Sequence, residues 1–173
     1  MLRFFILFLV ILFGLFTLEI LQSVEQAVIN PFTGVIAKIS VFLIQMFDSD
    51  VITYGKIIQS RSTQFAIEIE RGCNGVEAVI ILAAAIFAFP ASIKHKLIGF
   101  GAGFLAIQAL NLVRIISLFY LGQWSETAFK WFHLYLWQAL IILDALVVWL
   151  IWLRYLPTPA GNSGAQPANG PVS

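Results

Sequence analysis

The chain has 173 residues, of which 60% are hydrophobic and only 11% are charged, against roughly 25% charged residues in an ordinary soluble domain. Its formal net charge of +1 and the lack of a basic run argue against a nucleic-acid-binding surface. The single cysteine excludes an internal disulfide and a paired-cysteine redox centre, and no Cys/His set has the spacing of a zinc site, so we expect no metal and no cofactor. Length and composition predict one polytopic membrane domain, over residues 1–156.

The first apolar segment predicts a membrane-spanning helix over about 2–21. It is apolar apart from Arg3 and Thr17, and about 20 such residues suffice to cross a bilayer. A cleaved signal peptide is the alternative because Arg3 gives a short basic start. The long apolar run and the lack of a small-x-small cleavage site favour a retained helix.

Residues 31–47 predict a second helix of a different kind. Their apolar side chains recur at helical spacing, with Lys38 and Gln45 on another face, which is typical of an amphipathic helix lying in the membrane interface. If this helix crossed the bilayer instead, every later segment would reverse its orientation.

From Asp48 to Arg71 the chain changes character and becomes rich in charged side chains, and residues 51–71 predict a hairpin. Apolar and charged residues alternate over 65–70, which predicts a strand. We expect this strand to pair with an arm around 54–58 through a turn near 60–63, forming a small β-hairpin between the first two spans. The second arm leads directly to Cys73.

Three more apolar segments predict spans at 75–92, 97–117 and 131–153, which complete an all-α four-helix bundle. Pro90 ends the first of them, and Arg154 ends the last. The remaining residues, 157–173, are rich in Gly, Pro, Asn and Ser and are predicted to be disordered.

Three polar positions interrupt these segments on one side of the membrane. Four spans in series alternate in direction, so the start of the second, the end of the third and the start of the fourth share a side. Cys73, Arg114 and His133 hold those positions, and we expect them to meet. Lys94 and Lys96 flank the opposite side without acidic neighbours, which places that side and both termini in the cytoplasm and Cys73 outside.

The residues around Cys73 favour a reactive thiol. Gly75 permits close backbone approach, and Asn74 is a favoured cap just before a helix. Cys73 is therefore predicted at a helix N-terminus, where the dipole favours the thiolate. The alternative is that the cysteine is buried as a small hydrophobic residue.

Further polar residues suggest partners for the sulfur. Arg114, with Asn111 one turn earlier, lies at membrane depth, where an unpaired cation costs at least about 2.5 kcal/mol. It either stabilises an oxyanion or a carbonyl, or extends to lipid phosphate. His133 either transfers a proton in acyl transfer or is only a solvated interfacial residue. Glu77 is expected to pair with Arg114, to orient His133, or to form a structural ion pair.

The motifs Cys-Asn-Gly at Cys73, Asn-Leu-Val-Arg-Ile at Asn111, and the histidine His133 that opens the next span resemble the exosortase/archaeosortase family. The similarity covers roughly 72–137, and the small size is similar to the compact subtype called exosortase H. The resemblance implies an integral-membrane cysteine protease or transpeptidase. In this family pattern Cys73 is the nucleophile, and Arg114 and His133 complete the catalytic set.

Family members are thought to recognise secreted proteins by a C-terminal sorting signal, which consists of a short motif, an apolar helix and a basic cluster. The resemblance implies that secreted proteins with such a signal, and membrane lipid, are the partners. It also implies a bacterial inner membrane, with the site facing the periplasm. It also implies a thioester at Cys73 that water or an amine acceptor resolves. Archaeal relatives can carry Arg at the third position, so His133 is either a general base or a charge stabiliser.

A membrane transport or binding subunit is the alternative function, because buried Arg, Glu and Asp also mark ion and substrate pathways. It predicts that alkylation of Cys73 leaves function intact. A quinone-linked thiol oxidase would need paired cysteines. An aspartyl membrane peptidase would need a second carboxylate at the depth of Asp144, and the sequence identifies none.

Overall fold

The computed structural model describes residues 2–156, which are mostly helical with one small sheet. The predicted tail at 157–173 lies outside the described residues. Two π-helical turns, Glu25–Ile29 and Phe132–Leu136, join neighbouring helices without a break. The helices are α1 Leu2–Ile20, α2 Gln22–Val24, α3 Asn30–Gln45, α4 Val76–Ala88, α5 Ile93–Trp124, α6 Glu126–Trp131 and α7 Trp137–Arg154.

Four helices are long and apolar enough to cross a membrane, and three of them correspond to the predicted spans at 2–21, 97–117 and 131–153. The four helices are α1, the continuous helix Gln22–Gln45, α5, and the continuous helix Glu126–Arg154. The predicted span at 75–92 is instead the 13-residue helix α4. At 1.5 Å per residue α4 is about 20 Å long, less than the roughly 30 Å of a hydrocarbon core. Its end is early because Phe89 becomes extended, with ψ 139°, before Pro90.

Helix α4 is the centre of a bundle, where it packs against α1, α5 and α7. Two glycines of α5 allow close packing: a Cβ on Gly99 would overlap the indole of Trp152, and one on Gly103 would overlap Leu82. This bundle has its own hydrophobic core, formed by Ala78, Leu82, Ile86, Ile107, Ile141, Ala145 and Trp152.

The predicted hairpin is a three-stranded antiparallel sheet in the order β1-β2-β3. The arm predicted at 54–58 is wrong, because Tyr54 pairs directly with Ile57 and the chain turns between them. Gly55 makes this tight turn possible by adopting φ 59°. The strands are β1 Val51–Tyr54, β2 Ile57–Ser60 and β3 Ala66–Glu68.

A second hydrophobic core joins α3, the sheet and the C-terminal half of α5. Cys73 packs against this core, so the cysteine lies where the bundle meets the sheet. The core residues are Ile36, Ala37, Val41, Ile44, Val51, Ile58, Ile69, Ile115 and Phe119.

Both ends of the helix Gln22–Gln45 contact the same end of the bundle. Near its start, Glu25 pairs with Arg71 at 2.8 Å. Just beyond its end, Asp48 accepts a hydrogen bond of 3.4 Å from Tyr120, late in α5. The helix therefore stays near the sheet despite its length. The opposite end of the bundle is formed by the first turn of α1, the end of α4 and the last turns of α7, through Phe4, Phe89 and Trp149.

Candidate active site

Three side chains from three segments meet at the end of the bundle nearest the sheet. Cys73 precedes α4, Arg114 lies in α5, and His133 lies in the π-helical turn before α7. The Sγ atom of Cys73 is 3.5 Å from Nη2 of Arg114. The same sulfur is 3.7 Å from Nδ1 and 3.9 Å from Nε2 of His133. A thiol, a guanidinium and an imidazole thus share one contact region.

Arg114 is held by protein and does not reach lipid phosphate. Its side chain is almost completely buried, with 1% of the residue exposed. Nη1 donates a hydrogen bond of 2.8 Å to the carbonyl oxygen of Gly72. This bond orients the guanidinium plane and leaves Nη2 directed at the sulfur of Cys73. The cation at membrane depth is therefore stabilised by the loop that carries the thiol.

The backbone around the cysteine needs two glycines. Gly72 and Gly75 adopt φ 80° and φ 77°, a region that other residues enter only with strain. A Cβ on Gly75 would lie 2.9 Å from Nε2 of Gln108 and 3.3 Å from the amide of Asn111. Asn111 therefore lies beneath the loop, and its amide approaches the backbone and not the sulfur. The loop is closed by a 3.0 Å hydrogen bond from the N–H of Cys73 to the carbonyl of Glu70.

Asn74 fixes the other side of the loop. Only 1% of this residue is exposed, and its Oδ1 accepts a 3.0 Å hydrogen bond from the N–H of Val76, the first residue of α4. Its Nδ2 donates to Oγ1 of Thr33 at 3.2 Å. The capping residue by position is Gly75, one residue later than predicted. The asparagine side chain still satisfies the first N–H of the helix.

Glu77 has a different partner from those predicted. Its Oε1 accepts a hydrogen bond from the N–H of Gly72, so the carboxylate holds the cysteine loop. It forms no ion pair with Arg114 and no hydrogen bond with His133 among the described residues. Since Gly72 also accepts from Arg114, the two charged side chains hold the same peptide segment from both ends.

His133 is positioned by an aromatic neighbour. Its ring stacks on Phe129, one turn earlier, with centroids 5.5 Å apart and planes 3° apart. The sulfur of Cys73 is nearly equidistant from the two ring nitrogens, so a rotation of the imidazole would bring one of them closer. Loose contacts of this kind are usual before a substrate binds.

The environment of Cys73 raises the pKa of its thiol. Burial is the largest cause, and the nearby carboxylates of Glu77 and Glu70 add to it, while the guanidinium of Arg114 lowers the pKa. Burial thus opposes the thiolate that a helix N-terminus was predicted to favour. Cys73 lies two residues before the capping residue Gly75, and desolvation outweighs the favourable charge. Because the raised pKa disfavours the thiolate, nucleophilic attack by Cys73 needs a group that accepts its proton.

This environment predicts the pH dependence of alkylation. Because the chain has a single cysteine, iodoacetamide labels one site. We expect the rate to rise with pH through a midpoint above the value of about 8.5 for a free thiol. Glu77→Gln keeps an oxygen for Gly72 but removes a negative charge, so it should lower the midpoint. Glu68→Gln, on the exposed strand β3, is the matched control and should leave it unchanged. A midpoint below that of a free thiol would contradict this account.

A cavity of about 540 Å³ opens beside the sulfur. Its size falls within the roughly 300–1,000 Å³ of ligand pockets. A second cavity of about 30 Å³ is lined by Cys73, Arg114 and His133. Asp144, half-buried in α7, lines neither cavity. The large cavity is lined by Phe65, Ala66, Ile67, Glu68, Glu70, Cys73, Gly122, Glu126, Phe129, Lys130 and His133.

Sequence reasoning missed several contributors to this site. Phe129 carried a usable signal, since it precedes His133 by four residues and therefore shares its helix face. Thr33 and the carbonyl of Gly72 carried none, because their partners are distant in sequence. The lining of the cavity by β3 depends on the packing of the sheet against α5 and could not be read from alternation alone.

Comparisons with known proteins identify the family of the chain. No curated protein and no solved structure matches the chain. The family model described as "Transmembrane exosortase (Exosortase_EpsH)" matches residues 1–150, which include Cys73, Arg114 and His133. This match confirms the resemblance in the sequence motifs, and it covers most of the bundle. The chain is a membrane protein and belongs to the transmembrane exosortase family, whose members are involved in the processing of sorting signals.

Proposed function

We propose that this protein is a membrane cysteine protease or transpeptidase that cleaves the C-terminal sorting signals of secreted proteins through a thioester on Cys73. The observation that carries the proposal is the contact of one sulfur with both a buried guanidinium and an imidazole, beside a cavity. A transport pathway would account for a buried arginine. It would not account for a thiol held against that arginine.

The first step is activation of the thiol. The Sγ proton of Cys73 passes to a ring nitrogen of His133 after a small rotation of the imidazole. The positive charge of Arg114, with Nη2 3.5 Å from the sulfur, stabilises the thiolate that forms. The thiolate then attacks the carbonyl carbon of the substrate amide and forms a carbon–sulfur bond.

The second step is expulsion of the sorting signal. The carbonyl oxygen becomes an oxyanion, and we assign Nη2 of Arg114, which lies beside the sulfur, as the donor that stabilises it. The hydrogen bond from Nη1 to Gly72 keeps the guanidinium in place as the charge develops. The tetrahedral intermediate collapses, the carbon–nitrogen bond breaks, and the imidazolium of His133 returns its proton to the amine nitrogen of the signal. A thioester remains on the enzyme.

The third step releases the processed protein. Water or the amine of an acceptor attacks the thioester, with His133 taking a proton from the nucleophile. The carbon–sulfur bond breaks, and Cys73 regains its proton. Water yields a carboxylate, and an amine yields a new amide.

Charge distribution supports a periplasmic orientation of the site. The end of the bundle away from the cysteine carries only basic side chains among the described residues flanking the spans, namely Arg3, Lys94, Lys96 and Arg154. The positive-inside rule assigns this end to the cytoplasm. Since both ends of the helix Gln22–Gln45 contact the cysteine end, we infer that this helix lies along the periplasmic interface of a bacterial inner membrane and does not cross.

Trapping the thioester tests the proposal. A reporter that ends in the sorting signal of a secreted protein from the same genome should yield a covalent adduct on Cys73. The adduct should survive acid quenching, appear in peptide mass spectra at the mass of the reporter minus its signal, and disappear with hydroxylamine. His133→Ala should slow its formation. Cleavage of the reporter without any adduct, under conditions where a known acyl-enzyme is trapped, would contradict the mechanism.

A further inference from the structure

We propose that the open edge of β3 receives the substrate as an added strand, parallel to β3, and that this pairing delivers the scissile peptide bond to Cys73. The inference rests on the proposed function and names the way in which the same site binds its substrate. In the described part of the chain, β3 has β2 as its only strand neighbour, so one edge is unpaired.

The strand register shows which backbone groups are available. The carbonyl of Phe65 accepts from the N–H of Ser60 at 2.9 Å, and the N–H of Ile69 donates to the carbonyl of Lys56 at 3.0 Å. These two bonds direct residues 65, 67 and 69 towards β2. In an antiparallel ladder the residues between them direct their N–H and C=O groups to the other side. Ala66 and Glu68 therefore present two donors and two acceptors at the open edge.

The open edge faces the reaction site. The cavity beside Cys73 is lined on one side by β3 and its flanking residues, and on the other by α6 and the end of α5. No residue of β1 or β2 lines it, so the cavity lies on the side of β3 that faces away from β2. It also contains His133. An extended peptide in this space would pair with the strand and contact the imidazole.

The direction of the added strand follows from the depth of its two ends. Phe65, just before β3, packs on Phe119 and over Gly122, near the outer end of α5. Cys73 contacts Arg114, which lies further into the bundle along the same helix. The path from β3 to the cysteine thus runs towards the membrane. A substrate whose apolar helix follows the cleavage point must run the same way, parallel to β3.

The chemistry of this edge favours recognition of the backbone. The side chains of Glu68 and Glu70 are exposed, but Lys56 pairs with both, at 3.0 and 3.2 Å. One ammonium offsets one of the two negative charges, and it holds both carboxylates to the side chain of Lys56. In strand addition, hydrogen bonds of the main chain provide affinity and pockets for alternate side chains provide specificity. Such binding accepts different sequences that share an extended conformation.

A matched pair of variants tests the edge. Both Glu68→Ala and Glu68→Pro remove the side chain, but only proline removes the outward N–H, and proline is tolerated on edge strands. The probe is acetyl-tetra-alanine vinyl sulfone, which alkylates Cys73, and iodoacetamide reports the intrinsic reactivity of the thiol. We expect Glu68→Pro to lower the ratio of the vinyl sulfone rate to the iodoacetamide rate roughly fivefold relative to Glu68→Ala. This is the effect expected for the loss of one net hydrogen bond. Equal ratios in the two variants would overturn the proposal.

Methylation of the probe gives a second test that needs no protein variant. Each amide nitrogen of the peptide is methylated in turn, and the wild-type protein is used. Loss of rate at alternate amides, again roughly fivefold each, is the expected pattern. Equal rates for all methylated probes would overturn strand addition. A thioester trapped with the reporter described above would still support the proposed function in that case. If Glu68→Pro instead converts a dimer to a monomer without altering probe preference, the edge binds a second copy and the proposal is wrong.

Discussion

Replacing Cys73 with alanine is expected to lower the rate of sorting-signal cleavage by roughly a million-fold, the loss seen when a protease is deprived of its nucleophile. No other thiol in the chain can substitute for it. Cleavage of a reporter in membranes that contain equal amounts of each protein provides the measurement. Alkylation of the wild-type cysteine should give the same loss, whereas a transport or binding subunit would continue to function after alkylation.

Packing does not explain the expected loss. Cys73 contacts the core between the sheet and α5 only at its edge, and alanine removes one sulfur atom while keeping the backbone. The variant should therefore elute from gel filtration as the wild-type protein does. Cys73→Ser, which keeps an atom at the position of sulfur, is the matched control for volume and should also be inactive. Wild-type cleavage by the alanine variant would rule out covalent catalysis.

Replacing Arg114 with methionine is expected to lower the rate of cleavage by roughly 10²–10³-fold, the range for loss of one donor to an oxyanion. Methionine has a similar length and no charge, so the volume next to Gly72 stays filled. Arg114→Lys keeps the charge but cannot contact Gly72 and the sulfur as a fork. It should restore only part of the rate. The measurement is the initial rate of reporter cleavage, normalised to the amount of folded protein.

The pH dependence of the Arg114→Met variant separates two roles of the arginine, which are lowering the pKa of the thiol and stabilising the oxyanion. The guanidinium lowers the pKa of Cys73, so its removal raises that pKa further and slows alkylation by iodoacetamide at neutral pH. This part of the defect should vanish at high pH, where the thiolate forms in both proteins. Loss of oxyanion stabilisation should persist there. Full recovery of cleavage at high pH would restrict Arg114 to tuning the thiol.

The meeting of the three site residues could be predicted because it depends only on the alternating direction of successive helices. In the sequence these residues lie near the ends of apolar segments, and alternating direction puts such ends on one side of the membrane, although α5 in fact runs on past Arg114 to Trp124. Their individual environments could not be predicted. Burial raises the pKa of the thiol, and the core against which Cys73 packs includes residues of α3 and α5, both distant from it in sequence.

The predicted bounds of the hairpin and of the third span were wrong, because one local signal was overlooked and another was outweighed. Gly55 was a sufficient signal for a tight turn and thus for a third strand, since glycine enables the backbone of a two-residue hairpin loop. The third span was expected to end at Ser117, yet α5 continues to Trp124. The hydroxyl of Ser117 bonds to the carbonyl of Arg114 at 2.8 Å and is satisfied within the helix.

The brevity of α4 has a consequence for the depth of the site. A helix of 13 residues stands beside one of 32, and α5 runs from Arg114 on to Trp124, about 15 Å further at 1.5 Å per residue. The contact between Arg114 and Cys73 therefore lies well below the end of α5. In the function that we propose, this depth allows a peptide bond to meet Cys73 without complete extraction of the membrane anchor that follows it.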